Sequence, residues 1–177
     1  MTSSPDVMRI VEILDALTDD EPIGKEAVIS WMQSSDINIL GGLMHLWDLR
    51  RHDIEPPLTT TETFRLLMRN FRCAVEDRDE VRSRLAFSPY EAGRALSAWA
   101  SHQDNRAVIA ELRDQLSALY RNGDHKVREC IIHCVLEHLL ERPVLRSFFE
   151  TWHDDDDLRP AFERALTWGE AHSNVDT

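Results

Sequence analysis

Two stripes of side chains able to ligate or to exchange protons sit in one segment, Asn122–Trp152. Cys130, Cys134 and His138 recur at i, i+4 and i+8, which on an α-helix places them within about 80° of one another. Thiolate and imidazole are zinc ligands, but Cys130 and His138 would lie about 12 Å apart along the helix axis, and zinc ligands stand only about 2 Å from the ion. The three cannot share one metal. Val127, Ile131 and Val135 flank them, so the stripe reads as part of an apolar, core-facing surface. Glu129, His133 and Glu137 form a second stripe on the other side, with Lys126 and Glu141. A carboxylate beside an imidazole is the pairing of a general base, and the same spacing describes a solvated helix face. His133 and His138 are five residues apart, so the four-residue spacing of a zincin is missing. A third feature closes the segment: Trp152 is followed by Asp154-Asp155-Asp156-Asp157. Adjacent carboxylates attract divalent cations, but the alternating acids, central glycine and terminal glutamate of an EF-hand loop are absent. The run also suits the start of the next helix or a contact for a basic partner.

The elements that must position these residues are helical. Ser4-Pro5 starts a helix carrying Val7, Met8, Ile10, Val11, Ile13, Leu14 and Leu17. A second begins near Gly24, and Ser34-Ser35-Asp36 opens a third over Ile37–Leu49. Gly41-Gly42 interrupts that third pattern, so either the helix begins after the pair or a neighbouring element packs closely there. Pro56-Pro57 forbids helix, and Thr59 with Glu62 fits a capping box for a helix bearing Phe64, Leu67, Met68, Phe71 and Val75. Glu76–Arg84 is a mixed-charge stretch. Ser88-Pro89-Tyr90-Glu91 starts another helix, Asp104 or Asn105 caps the next, Gly123 closes it, and Asp124 caps the segment holding the two stripes. Pro143 breaks that segment, and Pro160 opens a last helix with Phe162, Leu166 and Trp168. No stretch alternates at period two. The expectation is an all-α fold of about 8–9 antiparallel helices, with HEAT-like helix pairs as a variant, in one domain over residues 1–172 and a disordered tail over 173–177.

A hydrophobic fraction of 42% and a charged fraction of 29% are those of a folded chain. The net charge of −12 disfavours direct contact with nucleic acid or an anionic membrane and favours a basic partner. The charge is uneven: residues 150–177 carry eight acidic and two basic side chains, a net of −6. The cations are 18 Arg and 2 Lys, read as compositional bias without chemical meaning. Three cysteines without framework spacing, and no leader or long apolar run, predict a reduced, cytoplasmic protein. No cofactor and no metal are expected.

Taken together, Ser88-Pro89-Tyr90-Glu91-Ala92-Gly93, Trp99, Leu119-Tyr120, Gly123-Asp124, Val127-Arg128, Leu136-Glu137-His138-Leu139 and Phe148-Phe149 with Trp152 resemble small all-helical bacterial immunity-type proteins of polymorphic toxin systems. The resemblance implies a cytoplasmic antitoxin that blocks one cognate toxin and has no catalytic residues. The partner-binding set read from the residues is Glu150, Trp152, Asp154, Asp155, Asp156, Asp157 and Glu163, with the tryptophan as anchor and the carboxylates around it. Asp124 with Val127-Arg128 also resembles the second helix of a HEAT repeat, which implies a protein-binding adaptor. A metal-dependent hydrolase using His133, Glu137 or Cys134 is the remaining alternative.

Overall fold

Short polar side chains start four of the helices where the sequence places them. Asp36 accepts the Asn38 N–H at 2.7 Å, Asn105 accepts those of Ala107 and Val108 at 3.1 and 3.3 Å, and Asp124 accepts that of Val127 at 2.9 Å. Each satisfies an amide that the first turn of a helix cannot. Thr59 and Glu62 form the full capping box: the Thr59 hydroxyl accepts the Glu62 N–H, and the Glu62 carboxylate accepts the Thr59 N–H at 2.8 Å. Lys25 adds an ion pair to the same carboxylate at 2.9 Å.

The computed structural model describes residues 5–77 and 84–173. Ser4, most of the Glu76–Arg84 stretch and the last four residues lie outside them. The described chain is all-α, with α1 (Pro5–Thr18), α2 (Lys25–Trp31), α3 (Ile37–Arg50), α4 (Thr60–Glu76), α5 (Pro89–Ala100), α6 (Arg106–Asn122), α7 (His125–Ile131), α8 (Glu137–Leu140), α9 (Pro143–Phe149) and α10 (Arg159–Ala171). One feature departs from pure helix: β1 (Ile23–Gly24) pairs in parallel with β2 (Ile54–Glu55). Pairs of two residues are too short to show alternation in a sequence. Ser173 donates to the Gly169 carbonyl at 2.7 Å, and residues 174–177 of the expected tail lie outside the described residues. Backbone contacts gather into two units, Met1–Ser88 and Pro89–Thr177, where the sequence alone suggests one domain over residues 1–172.

In the first unit α3 runs straight through its glycine pair. A methyl group at Gly41 would stand 2.0 Å from the Leu85 carbonyl oxygen, and one at Gly42 would stand 3.0 Å from Ile13 of α1. Close packing therefore explains the pair. Ile13, Ile39, Leu43, Phe64, Leu67 and Phe71 form the buried centre.

In the second unit α7 and α8 are joined by a π-helical turn, Ile132–Leu136, in which the Glu137 N–H reaches back five residues to the Ile132 carbonyl. This rod meets another backbone at two places. A methyl at Gly93 of α5 would lie 2.7 Å from the Cys134 carbonyl oxygen, and one at Gly169 of α10 would lie 2.5 Å from that of Leu140. Gly123 does end α6, but in extended conformation at φ −81°, not in the left-handed region of a glycine C-cap. Its role is steric: a side chain there would press on Val127 at 2.5 Å.

The arginine excess, which carries no message in the sequence, has a structural use. Arg50 donates to the carbonyls of Ala16, Asp19 and Glu21, closing the end of α1. Arg69 holds Gln33 and Ser34, Arg128 holds Tyr120 and Arg121, and Arg146 holds Leu140 and Gly169. A planar guanidinium can serve two or three carbonyls at once, in a geometry that a lysine ammonium does not reproduce.

Both the packing and the capping can be tested by stability measurements. Gly93→Ala and Gly169→Ala each force backbone apart and destabilise the protein by about 1–3 kcal/mol, whereas Gly24→Ala, with nothing within 4 Å, changes stability by less than about 0.5 kcal/mol; urea unfolding of the three variants checks this. The Thr59 amide and the Lys25 ammonium bring the Glu62 carboxyl down from 4.5 to about 2. Because the folded value is the lower one, the Glu62 contribution is complete above pH 4.5 and is lost as the pH falls toward 2. Thr59→Ala removes about 1 kcal/mol at pH 7, and Glu62→Gln flattens the fall in Tm between pH 4.5 and 2.

Candidate functional site

Glu129, His133 and Glu137 stay together as one stripe through the π turn: His133 lies within hydrogen-bond distance of both glutamates. Glu137, expected on the solvated face, is nevertheless 7% exposed. α10 lies against this stretch, with Gly169 on Leu140 and Arg164 on Glu129 and His133. No proline or glycine lies within residues 125–140, so no sequence signal marks the π turn.

His133 becomes the centre of a four-residue network. Its Nδ1 lies 2.8 Å from Glu137 Oε1, and Arg164 of α10 donates to its Nε2 at 2.6 Å. Its Nε2 also lies 3.2 Å from Glu129 Oε2, so the ring is held between two carboxylates and a guanidinium. Arg164 also clasps Glu129 with both terminal nitrogens, at 2.9 and 3.0 Å. That fork holds the Glu129 carboxyl below its usual range and raises the guanidinium in turn, against the opposing effect of desolvation. Both ring nitrogens are therefore engaged within the protein, Nδ1 by Glu137 and Nε2 by Arg164 and Glu129. The geometry is that of a tie between α10 and the α7–α8 rod.

The apolar stripe is only partly apolar in its surroundings. Cys134 is buried, and Cys130 is half-buried. Burial, first, and the neighbouring Cys130 push the Cys134 thiol up to about 12, which keeps it protonated and unsuited to attack. His138 is half-buried, with its Nδ1 2.9 Å from Glu141 and 3.1 Å from Arg94 of α5. Among the described residues no three of His, Cys, Asp or Glu come together as a metal site.

Trp152 requires a correction. As the expected anchor for a partner it should be accessible, but it is 1% exposed. It ends a 3-10 turn, Glu150–Trp152, and its ring centroid lies 5.8 Å from that of Phe149 and 5.9 Å from that of Tyr120. It is a core residue on which the next turn is built. Asp155 is half-buried and engaged in holding the turn. It pairs with Arg121 and accepts the N–H groups of Asp157 and Leu158 at 3.0 and 3.2 Å. Desolvation works against its charge, and the Arg121 bond and these amides overcome it, holding the carboxyl below its usual range.

The other aspartates point out. The side chains of Asp154 and Asp156 are 87% and 90% exposed, with surface contacts to His153 at 3.6 Å and Arg159 at 2.8 Å. Asp157, Glu150 and Glu163 are exposed. The predicted set thus divides into a buried Trp152, a half-buried and bonded Asp155, and a displayed group, Glu150, Asp154, Asp156, Asp157 and Glu163. Arg121, which fixes the turn from α6, is absent from that set; a lone arginine 34 residues away gives no signal of its own.

Compared with known proteins, the chain matches no family model, no curated protein and no solved structure.

The His133 network makes a specific demand on stability. His133→Ala leaves the buried Glu137 carboxylate without its imidazole, at a cost of about 1–3 kcal/mol. Glu137→Gln in the His133→Ala background recovers most of that loss, as measured by chemical denaturation of the two single variants and the double variant.

Proposed function

We propose that this protein is a non-catalytic binding module that docks a basic protein surface on the exposed acidic turn Asp154–Asp157. The observation that carries the reading is the division of the aspartates. Trp152 is buried and the half-buried Asp155 is bonded to Arg121 and to two backbone amides, while Asp154 and Asp156 stand 87% and 90% exposed. A turn fixed from below presents its charges at little further entropic cost, which favours association over a loose acidic loop. The excess of negative charge over residues 150–177 steers a cationic partner to the same region.

The resemblance to immunity-type proteins gives this reading its biological form: a cytoplasmic antitoxin that covers a basic, nuclease-like toxin. The occupied Nε2 of His133 and the protonated thiol of Cys134 favour binding over hydrolysis. No helix among the described residues is long and apolar enough to cross a membrane, which agrees with a partner met in solution.

The test is co-purification with the product of the adjacent gene, followed by titration of the pair. Asp154→Asn, Asp156→Asn and Asp157→Asn combined weaken binding by about tenfold or more and flatten its dependence on salt. Retention of full affinity by that triple variant would sink the proposal.

A further inference from the structure

The first unit carries an apolar surface that its own core does not use. Seven apolar residues recur along α1, and one core-facing stripe needs only about half of them. Ile13 is buried, while Ile10 and Leu17 are half-buried on the same side. Val7, Met8, Val11 and Leu14 face solvent, with exposures of 51%, 56%, 50% and 42%. Val7, Val11 and Leu14 stand at i, i+4 and i+7, the spacing by which one helix anchors another. The stripe is continuous over two turns, unlike the isolated exposed side chains that any surface carries.

Its rim has one sign. Residues 6–21 hold six carboxylates and one guanidinium, a net of −5. The guanidinium, Arg9, is paired with Asp6 at 3.4 Å. Glu12 accepts a bond from the Trp31 indole at 2.9 Å and remains exposed, as do Asp15, Asp19, Asp20 and Glu21. A second copy of this chain laid on the stripe would bring like charges together, which opposes self-association. A partner helix with an apolar stripe flanked by lysine or arginine meets both requirements.

We infer that the outward face of α1 is a docking site for a basic amphipathic helix, anchored on Val7, Val11 and Leu14 and rimmed by Glu12, Asp15 and Asp19. The site lies in the first unit and is independent of the acidic turn at Asp154–Asp157.

The probe is a designed peptide of about 18 residues, long enough for the two-turn stripe, with leucines at i, i+3, i+4 and i+7 and lysines elsewhere, titrated onto the full chain by calorimetry. A peptide of the same pattern with glutamate for lysine is the control. The lysine peptide binds, and the glutamate peptide does not. Val11→Glu adds a negative charge, so a purely electrostatic attraction would strengthen; docking on the stripe weakens at least about tenfold. Val7→Ser with Leu14→Ser gives the same loss without a change of charge and serves if Val11→Glu fails to fold, as judged by its melting curve. The Asp154→Asn, Asp156→Asn, Asp157→Asn variant binds the peptide as the unaltered protein does, which separates this site from the acidic turn. Undiminished binding by Val11→Glu or by the serine pair, or a concentration-dependent dimer in sedimentation that Val11→Glu dissolves, overturns the assignment.

Discussion

Backbone approaching backbone at glycine is the constraint on which each unit depends. In the second unit the rod from His125 to Leu140 is met at Cys134 by Gly93 and at Leu140 by Gly169, at distances that leave no room for a methyl group. In the first unit α3 is met at Gly41 by the Leu85 backbone, and at Gly42 by the Ile13 side chain. Helices that close share their van der Waals surfaces over a longer stretch, and the side chains beside the contact have few rotamers left. The positions of His133, His138 and Arg164 depend on that clamp. Once α10 lies against Leu140, Arg164 is within reach of Glu129 and His133, and the network forms with little further ordering.

Around these contacts arginine takes a role usually assigned to helix caps. The C-terminal carbonyls of a helix have no partner in the helix itself. Here guanidinium groups from elsewhere in the chain fill that role, most fully at the end of α6, where Arg128 serves the Tyr120 and Arg121 carbonyls. The low glycine count fits this arrangement, since left-handed glycine caps are absent among the described residues.

The carboxylates displayed at the surface include two regions with different supports. At Asp154–Asp157 the support is close in sequence: a buried indole and a half-buried aspartate that caps two amides fix a tight turn. At α1 it is an apolar stripe between exposed acids. The first presents charge on a rigid base and suits steering and selectivity; the second presents apolar area within a charged rim and suits anchoring.

The all-α class, most helix starts and the core faces of α4 and α6 are legible in the sequence, because caps and 3.6-residue periodicity are local. Thr59 with Glu62, Asn105 and Asp124 each need only a few neighbouring residues to be read. The displayed aspartates are also visible as charge alone. Which residues are reachable was decided only by tertiary structure. Trp152 looks like an anchor beside four acids, yet Tyr120 and Phe149 close over it. Glu137 belongs to a polar stripe, yet it is buried where α10 lies against that stretch. Arg121, Arg164 and Arg50 act on groups 34, 31 and 29 residues away. Burial, helix register and long-range hydrogen bonds depend on what packs against a segment, and a segment's own residues do not encode that.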